Sequence, residues 1–463
     1  MVIAPREALT AIWRDAGMPP DALGQVVLSG ADPVLPSSFA VGTAAQATIA
    51  AATLAAAEIW RLRSGERRGV SVDMNHAAAE FRSERYLRVD GEPPPSPWDP
   101  IAGAYLCADG WVRIHTNFPH HRDGILELLG CANEREAVAQ ALAGWQASAF
   151  ERVAAERGLI AAALRTPEAW RDHPQGRALA CEPLVCLEKI GEAPPEPFAP
   201  AARPLAGLRV LDLTRIIAGP VCGRALAAHG AEVLRVTGPD LPSIPALVMD
   251  TGRGKRGCHV DLKDPRGRET LRNLVTEADV LVQGYRPGAL AAKGFAPERL
   301  AVFRPGIVSA SLAAYGHGGP WAGRRGFDSI VQTACGLNHQ EAAASGVEGP
   351  KALPCQALDH ASGYLLAFGT LAALRRRATE GGSWHVRVSL ARTARWLEGL
   401  GRLPDGFDCP DPGQDQVAEF LEESQSGFGR LTAVRHAGRI EGHAPHWAAP
   451  AMPLGSDPAE WPA

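Results

Sequence analysis

The chain lacks several patterns that mark whole classes of protein. Its nine cysteines are dispersed without a C-x-x-C pair, which argues against structural zinc and a disulfide framework and favours reduced thiols in a cytoplasmic protein. The N-terminus has no uninterrupted apolar core, so no signal peptide is expected. The most apolar stretch, residues 39–59, is mostly alanine and threonine and includes Gln46 and Glu58. It predicts a packed helix of a soluble protein and not a membrane span.

Further absences concern charge and ligand motifs. Arginines are scattered without a basic run, and with a net charge of −4 and a pI near 6.4 no nucleic-acid partner is expected. The sequence has no lipidation motif, so no membrane anchor is expected. No G-x-G-x-x-G motif is present, which argues against a dinucleotide-dependent dehydrogenase. What remains is an ordinary globular composition, and a length of 463 residues that suggests two or three domains.

The texture of the sequence changes at a proline-rich stretch, residues 191–205, which predicts an extended linker. Short apolar strands alternate with helices beyond it, which indicates an α/β fold with a parallel sheet. The predicted strands are Leu208–Leu213, Glu232–Val236, Val280–Val282 and Ile307–Leu312, with helices through Ala228 and over Pro265–Thr276. The predicted division is an N-terminal segment (1–95), a small domain (96–190), the linker (191–205), a large domain (206–395) and a C-terminal extension (396–463).

One internal repeat is suggested by the sequence. The stretch from Ser37 parallels residues 352–390, and aligning their shared Thr-Leu-Ala-Ala places Gly42 opposite Asp359, at an offset of 317. A second likeness joins residues 173–198 to residues 426–455, since both have short strands with proline-rich exits. Alanine-rich helices also resemble one another by composition alone, but the shared order of features favours a partial duplication in which one copy lacks the carboxylate.

Candidate binding motifs follow the predicted strands. Residues 217–220 (IAGP) begin a helix whose amides could receive a phosphate or pantetheine group, and residues 252–256 (GRGKR) predict a flexible basic loop before a strand at Val260–Lys263. Residues 284–288 (GYRPG) follow a strand where doubly wound folds bind ligands. Residues 315–320 and 326–329 bracket a loop rich in glycine and arginine. Each motif alone is equally compatible with loop geometry.

Asp359 is the candidate catalytic residue. It is the last acid before a predicted long helix with a broad apolar stripe, which would place the carboxylate near a helix N-terminus and beside packed apolar groups. An N-cap role, in which its side chain bonds the first amides of the helix, explains the same position. The stripe consists of Leu365, Leu366, Phe368, Leu371 and Leu374.

Taken together, these motifs from about Leu205 to Leu390 resemble the family III coenzyme A transferases, the CaiB/BaiF group. The resemblance implies a Rossmann-like large domain with a smaller α/β domain, and transfer of CoA between an acyl-CoA thioester and a carboxylic acid. It implies that Asp359 is the covalent nucleophile, that the protein is a homodimer, and that CoA is a substrate, with no permanent cofactor or metal. It also implies that the CoA groove is lined by Ala218, Lys255, Arg256 and Arg286.

The sequence departs from the family pattern at several points. Ile217 stands where many family transferases have glutamine, and Phe327 stands where family racemases have a catalytic histidine. The small-domain-like region precedes the large domain instead of following it. His115, His120 and His121 lie in that region without a zinc-like ligand set, so surface or packing roles are expected. An acyl-CoA isomerase or racemase, disfavoured by Phe327, and a non-catalytic CoA-binding subunit, disfavoured by Asp359, remain as alternatives.

Overall fold

The first part of the chain places one long helix between two short strands. A computed structural model describes residues 2–462, and helices and strands are numbered in chain order. Strands β1 and β2 pair in parallel with Val26 opposite Val70. The elements are α1 (Pro5–Asp15), β1 (Val26–Ser29), α2 (Val41–Ser64), β2 (Val70–Asp73), α3 (Met74–Glu80), α4 (Ser83–Tyr86) and β3 (Arg88–Val89).

A small antiparallel sheet with its own helices comes next. Its strands follow the order β4-β5-β6, and its apolar cluster includes Ile101, Val112 and Phe150. The elements are β4 (Gly103–Cys107), β5 (Gly110–Ile114), α5 (Pro119–Leu129), α6 (Arg135–Ala143), α7 (Ala147–Glu156), β6 (Ala161–Ala163), α8 (Pro167–Asp172) and α9 (Pro174–Ala178). The predicted domain boundaries around this region stay a prediction.

The second half of the chain forms the large sheet. Its elements are β7 (Cys186–Gly191), β8 (Arg209–Leu213), α10 (Ala218–Ala228), β9 (Glu232–Thr237), α11 (Pro245–Gly252), β10 (Lys255–His259), α12 (Pro265–Thr276), β11 (Val280–Gln283), α13 (Pro297–Phe303), β12 (Val308–Ala313), α14 (Asp328–Ala334), α15 (Leu337–Ser345), α16 (Ala357–Glu380), β13 (Ser383–Ser389) and α17 (Leu390–Gly399). The tail adds β14 (Leu421–Ser426), β15 (Gly429–Val434) and β16 (Arg439–Ile440).

Seven strands run in the order β10-β9-β8-β11-β12-β13-β7, and every neighbouring pair is parallel except β13 with β7. Counted from β8, the parallel strands follow the order of a doubly wound sheet, whose strand order reverses between β8 and β11. The predicted α/β class is confirmed. Because ligands bind at the carboxyl ends of strands beside such a reversal, the loops after Leu213 and Gln283 are where a site is expected.

Two long helices pack against each other at the centre of the molecule. Helices α2 and α16 each have 24 residues, and each is followed by a glycine with positive φ, Gly65 and Gly381. Every residue is buried over 41–59 and over 357–374. The sequence predicted that one apolar stripe of α16 is buried, and this prediction is too narrow. Both helices are surrounded by protein along most of their length.

The surroundings of the two helices agree with a partial duplication. Parallel strands β1 and β2 flank α2, and parallel strands β12 and β13 flank α16 in the same way. An antiparallel strand from a proline-rich tail then joins each pair, β16 on β2 and β7 on β13. The first copy has only these three strands, so its sheet lacks the counterparts of β8 to β11.

Position 42 has no room for a second nucleophile. A half-buried carboxylate, Asp32, accepts hydrogen bonds from the backbone amides of Gly42 at 3.1 Å and Thr43 at 2.8 Å. A Cβ atom on Gly42 would overlap that carboxylate and the side chain of Val34. The N-terminal copy therefore keeps a helix-capping acid but excludes a side chain where the other copy has Asp359.

A buried polar network ties the N-terminal segment, the large sheet and the tail together. Nδ1 of His436 lies 3.0 Å from the Glu80 carboxylate, and the Arg224 guanidinium donates to the Asp250 carboxylate at 2.7 Å. Ser83 donates to the same aspartate at 2.6 Å. Since removing one partner of such a pair leaves an uncompensated buried charge, these contacts require all three parts of the chain.

Two local predictions are wrong. Residues 255–259 form strand β10, where a flexible loop was expected. The strand predicted at Val260–Lys263 therefore begins just after the position where β10 ends. Asp359 is the third residue of α16 and does not precede the helix.

Within residues 2–462, no helix combines the length and apolarity that crossing a membrane requires.

Candidate active site

Asp359 lies in the first turn of α16, but it does not cap that helix. The capping position is Gln356, which makes no side-chain cap hydrogen bond. The cap comes from another element, since the carboxylate of Asp328 at the start of α14 accepts from the backbone N–H of Asp359 at 2.9 Å. The side chain of Asp359 is thus not used to satisfy its own helix, and the N-cap explanation of this residue is wrong.

Asp328 is held in place by Gln332, one turn later on α14. The Gln332 side chain donates to Asp328 and accepts from the backbone N–H of Leu353 at 3.0 Å. Burial, opposed by the hydrogen bonds from the first turn of α16, raises the pKa of Asp328 to about 6. The pair therefore fixes the position of the helix start, and hence of Asp359.

The Asp359 side chain is 6% exposed and makes no hydrogen bond to residues 2–462. Burial, then the charge of Asp328 and then that of Glu84, raises the pKa of Asp359 well above its ordinary value. A carboxylate that is poorly solvated and surrounded by other acids is a stronger nucleophile once ionised than one in water. The surroundings of Asp359 fit a reacting group.

Glu84 comes from α4 in the N-terminal segment, a contribution that sequence reasoning missed. Its carboxylate lies 3.2 Å from the Nε2 of His360, the residue that follows Asp359. The His360 ring is fully buried and stacks on Phe81, with centroids 5.4 Å apart. The N-terminal segment therefore supports the helix turn that carries Asp359.

Asp359 opens into a cavity of about 300 Å³, here called the catalytic cavity. Its walls come from three parts of the chain, because Glu84 and residues 93–98 precede the small sheet, His115 follows β5 of that sheet, and Ile217 and Phe327 belong to the large-sheet half. The wall at Pro93, Pro94, Pro95, Pro97 and Trp98 is apolar. Since proline restricts the backbone, this wall is stiff.

The N-terminus of α10 lies beside the catalytic cavity. Ala218 is the first residue of this helix and is buried, and Ile217 lines the cavity. Gly363 of α16 lets that helix approach α10, since a Cβ at Gly363 would lie about 2.5 Å from the Ala218 carbonyl oxygen. Ile216 has φ of +75°, a strained conformation for a β-branched residue. Such strain is typical of functional sites.

A second cavity, here called the basic cleft, has a volume of about 340 Å³ and adjoins the first. Four arginines line it together with the His120 and His121 side chains, and no Asp or Glu among the described residues does so. Arg286, the predicted binding residue, is exposed and forms no ion pair within residues 2–462. The arginines are Arg215, Arg286, Arg324 and Arg325.

A third cavity of about 200 Å³, the strand-end pocket, lies beyond the ends of β9 and β10. Leu241 and Tyr285 line both this pocket and the basic cleft. Ile216 and Phe327 line both the basic cleft and the catalytic cavity. The three cavities therefore adjoin one another along the carboxyl edge of the sheet, with the basic cleft in the middle and Asp359 at one end, and together they are here called the groove.

The groove does not include two of the predicted binding residues. Lys255 is buried under α10, where its Nζ lies 2.7 Å from Asp212 and 2.7 Å from the Pro220 carbonyl oxygen. Burial lowers the pKa of Lys255 to about 8. Arg256 lies on edge strand β10 and pairs with Asp457 at 3.4 Å. Arg286 thus lines the groove, Ala218 is buried next to the lining residue Ile217, and Lys255 and Arg256 lie outside the groove.

Other groove residues were missed although the sequence carried a signal for some of them. Arg324 and Arg325 belong to the loop rich in glycine and arginine, and Arg215 follows strand β8. His115 was expected at a surface or in packing. It is instead buried in the wall of the catalytic cavity, stacked on Phe327 with centroids 3.9 Å apart. Burial, then His121 and Arg113, lowers its pKa to about 3.

Comparisons with known proteins relate much of the chain to CoA transferases. Residues 205–400 match the model of CoA-transferase family III. This match spans β8 to α17. An acyl-CoA transferase of Gibberella moniliformis is 31% identical over 370 residues, covering 69% of this chain and 64% of that protein. The probable fatty acyl-CoA transferase Rv3272 of Mycobacterium tuberculosis is 34% identical over 235 residues, covering 47% of this chain and 59% of that protein.

Among solved structures, a CAIB/BAIF family protein from Brucella suis is 25% identical, with a TM-score of 0.38. The alignment covers 49% of this chain and 65% of that structure. The chain spans less than two thirds of the length of the curated relatives named above. The matched domain contains α10, the loops of the groove and Asp359, while Glu84, residues 93–98 and His115 lie outside it.

Proposed function

We propose that this protein transfers coenzyme A from an acyl-CoA thioester to a carboxylic acid, through a covalent intermediate on Asp359. The observation that carries the proposal is a buried carboxylate, free of hydrogen bonds within residues 2–462, at the closed end of a groove with a basic middle section. The family III domain and the relatives named as CoA transferases support it.

The chemistry balances without a cofactor. An Asp359 oxygen attacks the thioester carbonyl carbon, the carbon–sulfur bond breaks, and a mixed anhydride and CoA thiolate result. The thiolate then attacks the Asp359 carbonyl carbon, which releases the donor acid and leaves an aspartyl-CoA thioester. The acceptor carboxylate attacks that thioester, and the returning thiolate attacks the new acyl group and regenerates Asp359. CoA is a substrate here, and no permanent cofactor is needed.

The basic cleft suits the charge of CoA. In this proposal the adenine ring occupies the strand-end pocket, the phosphates meet the basic cleft, and the pantetheine arm passes Ile216 and Ala218 toward Asp359. Arginine forks bind phosphate oxygens, and the free amides of a helix start favour polar groups. Holding CoA along its length keeps the thiolate beside the anhydride, which raises its effective concentration.

The catalytic cavity has a second task, which is to keep water from the anhydride. Residues 93–98 supply a stiff apolar wall, and His115 and Phe327 form a stacked pair beside it. A water molecule that reached the anhydride would hydrolyse it and waste the thioester. The N-terminal segment and the small sheet therefore contribute to transfer even though the nucleophile lies in neither.

Assembly and location stay proposals. A homodimer is what the family resemblance implies, and light scattering during gel filtration measures it. All nine cysteines are free thiols, which supports the reducing cytoplasm as the place of action.

The direct experiment is a screen of purified protein with panels of acyl-CoA esters and carboxylic acids, read by mass spectrometry. The proposal expects a new acyl-CoA whose formation requires both partners, with the donor acid released in equal amount. Hydrolysis of every ester, with no new thioester for any acid, would contradict it.

Substitution of Arg286 tests the phosphate position. We expect Arg286→Ala to raise the KM for CoA esters about tenfold with kcat little changed, because one charge-assisted phosphate contact is lost. Added salt should weaken binding of the wild type more than that of the variant. Arg272→Ala, on the exposed face of α12, is the matched control and should change neither value.

Lys255→Ala gives a contrasting result. Because Lys255 pairs with buried Asp212, we expect this variant to have a lower melting temperature and a KM close to that of the wild type. An unchanged KM in Arg286→Ala, together with a raised KM in a stable Lys255→Ala protein, would move the phosphates away from the basic cleft.

A second candidate function has one observation in its favour. His115 lines the same cavity as Asp359, so two acid/base groups could flank an α-carbon in spite of Phe327. The low pKa of His115 leaves the imidazole neutral but weakly basic, and the raised pKa of Asp359 favours a proton donor. Incubation of an acyl-CoA in D2O without an acceptor acid tests for a racemase or isomerase. Absence of deuterium at the α-carbon leaves transfer as the one function.

A further inference from the structure

The side-chain amide of Gln356 is a free hydrogen-bond donor in the catalytic cavity. Gln356 lines the cavity, is half-buried and occupies the capping position of α16 without bonding the helix start. Its amide forms no hydrogen bond with residues 2–462, and its polar atoms keep accessible surface. A reaction intermediate in the cavity can therefore reach this amide.

The amide is free because a residue of another helix caps α16. A polar side chain at the capping position of a helix ordinarily accepts from the backbone N–H three residues later. Here that N–H belongs to Asp359, and the carboxylate of Asp328 accepts from it at 2.9 Å. The side chain of Gln356 is thereby released from the usual structural role of its position.

Helix geometry places Gln356 beside the nucleophile. The Gln356 carbonyl oxygen accepts from the backbone N–H of His360 at 3.0 Å, so residue 356 already belongs to the first helical turn. Residues three positions apart on a helix have Cβ atoms about 5–6 Å apart. The side chain of Gln356 is long enough to bridge that gap to the Asp359 carboxyl group. Because the resting carboxylate makes no hydrogen bond within residues 2–462, the amide is not committed to it.

Two of the attacks in the proposed reaction occur on the carboxyl carbon of Asp359 itself. When the CoA thiolate attacks this carbon in the anhydride, negative charge moves onto the Asp359 carbonyl oxygen, and the charge returns as the bond to the donor carboxylate breaks. The acceptor carboxylate later attacks the same carbon, the same oxygen takes the charge, and the carbon–sulfur bond breaks. Both intermediates place an oxyanion near the acids Asp328 and Glu84, whose charges repel it.

We propose that Gln356 is a catalytic residue whose side-chain N–H donates to this oxyanion in both steps. The inference rests on the proposed function, because it concerns intermediates of the same reaction. A neutral amide suits the task, since it stabilises the developing charge without forming an ion pair with resting Asp359. The first attack, by Asp359 on the thioester, places the charge on the substrate oxygen instead and depends less on Gln356.

The test separates the two kinds of attack in full-length protein mixed with an acyl-CoA and no acceptor acid. Mass spectrometry of the intact protein after rapid quenching measures formation of the aspartyl-CoA adduct. We expect Gln356→Ala to form the adduct about a hundredfold more slowly than wild type, with the KM for the ester within about threefold. The variant should instead release free CoA thiol, because an anhydride that the thiolate attacks slowly is hydrolysed.

Two further variants control for size and folding. Gln356→Glu keeps the size of the side chain and places an acid at a helix start, but it replaces the N–H donor by an acceptor. It should keep the melting temperature of wild type and form the adduct no faster than Gln356→Ala. Gln140→Ala, on the exposed face of α6, should form the adduct at the wild-type rate.

Adduct formation at the wild-type rate in Gln356→Ala would overturn the inference. A larger loss in Asn117→Ala would also overturn it, because Asn117 is the other amide that lines the cavity. A wild-type protein that forms neither the CoA adduct nor a new thioester would instead contradict the proposed function itself.

Discussion

Replacing Asp359 by alanine or asparagine is expected to abolish CoA transfer, with a loss of at least about a thousandfold in kcat. The physical reason is that the attacking oxygen and both covalent intermediates depend on this side chain. Binding of CoA esters should stay within a few-fold of wild type, because the groove is built from other residues. Rate measurements beside calorimetry separate the two effects. Full transfer by Asp359→Ala would remove Asp359 as the nucleophile.

Trapping gives an independent check on the same residue. Hydroxylamine added during turnover should convert the aspartyl-CoA thioester to a hydroxamate, which peptide mass spectrometry locates. We expect modification of Asp359 only when an acyl-CoA is present. The control acid is Asp328, which lies next to Asp359 but holds backbone amides and should stay unmodified.

Asp359→Asn should also change how stability depends on pH. The pKa of Asp359 is raised in the folded protein above the value of about 3.9 in an unfolded chain, so the folded state binds the proton more tightly. Stability is therefore lost as pH rises above that unfolded value and through the folded pKa. We expect the variant to melt a few degrees higher than wild type at pH 7 and equally at about pH 3.

A fragment of residues 200–463 is expected to fail to form a stable, transfer-competent protein, although it contains the whole matched domain. It lacks α2, which covers α16, and β7, which pairs with β13 at the edge of the large sheet. It also lacks Glu80 and Ser83, so Arg224, Asp250 and His436 lose buried partners. The expected result is aggregation, or a protein that hydrolyses acyl-CoA without transferring it.

Complementation makes this prediction sharper. Coexpression of residues 1–199 should restore solubility and transfer, because the missing contacts are non-covalent. Circular dichroism and melting curves of the fragment alone should lack a cooperative transition. A soluble, monomeric fragment that transfers CoA at the wild-type rate would show that the N-terminal part is dispensable.

Much of the large sheet could be predicted because its signals are local. The predicted helices Ala218–Ala228 and Pro265–Thr276 match α10 and α12, and the predicted strands lie within two residues of β8, β9, β11 and β12. Apolar runs of strand length and helix starts at proline depend on neighbours in sequence. The GKR segment was misread because glycine and charge suggested a loop, whereas pairing with β9 makes it a strand.

The sequence by itself determined the α/β class, four strands and two helices after the linker, and Asp359 as the residue to test. It also suggested that two stretches of the chain are related and that only one of them carries the carboxylate. These conclusions rest on periodicity and on motifs that follow one another closely. Each is therefore readable from local patterns, and the repeat from comparing two such patterns 317 residues apart.

Only the tertiary structure decided what surrounds Asp359 and which cations face the groove. Asp328 caps the helix from 31 residues away, Glu84 comes from 275 residues before Asp359, and the wall at residues 93–98 belongs to another part of the chain. Tertiary packing also sent Lys255 into a buried ion pair and left Arg286 in the cleft. The reason is physical, since burial and charge at a point depend on every element packed there and not on neighbours along the chain.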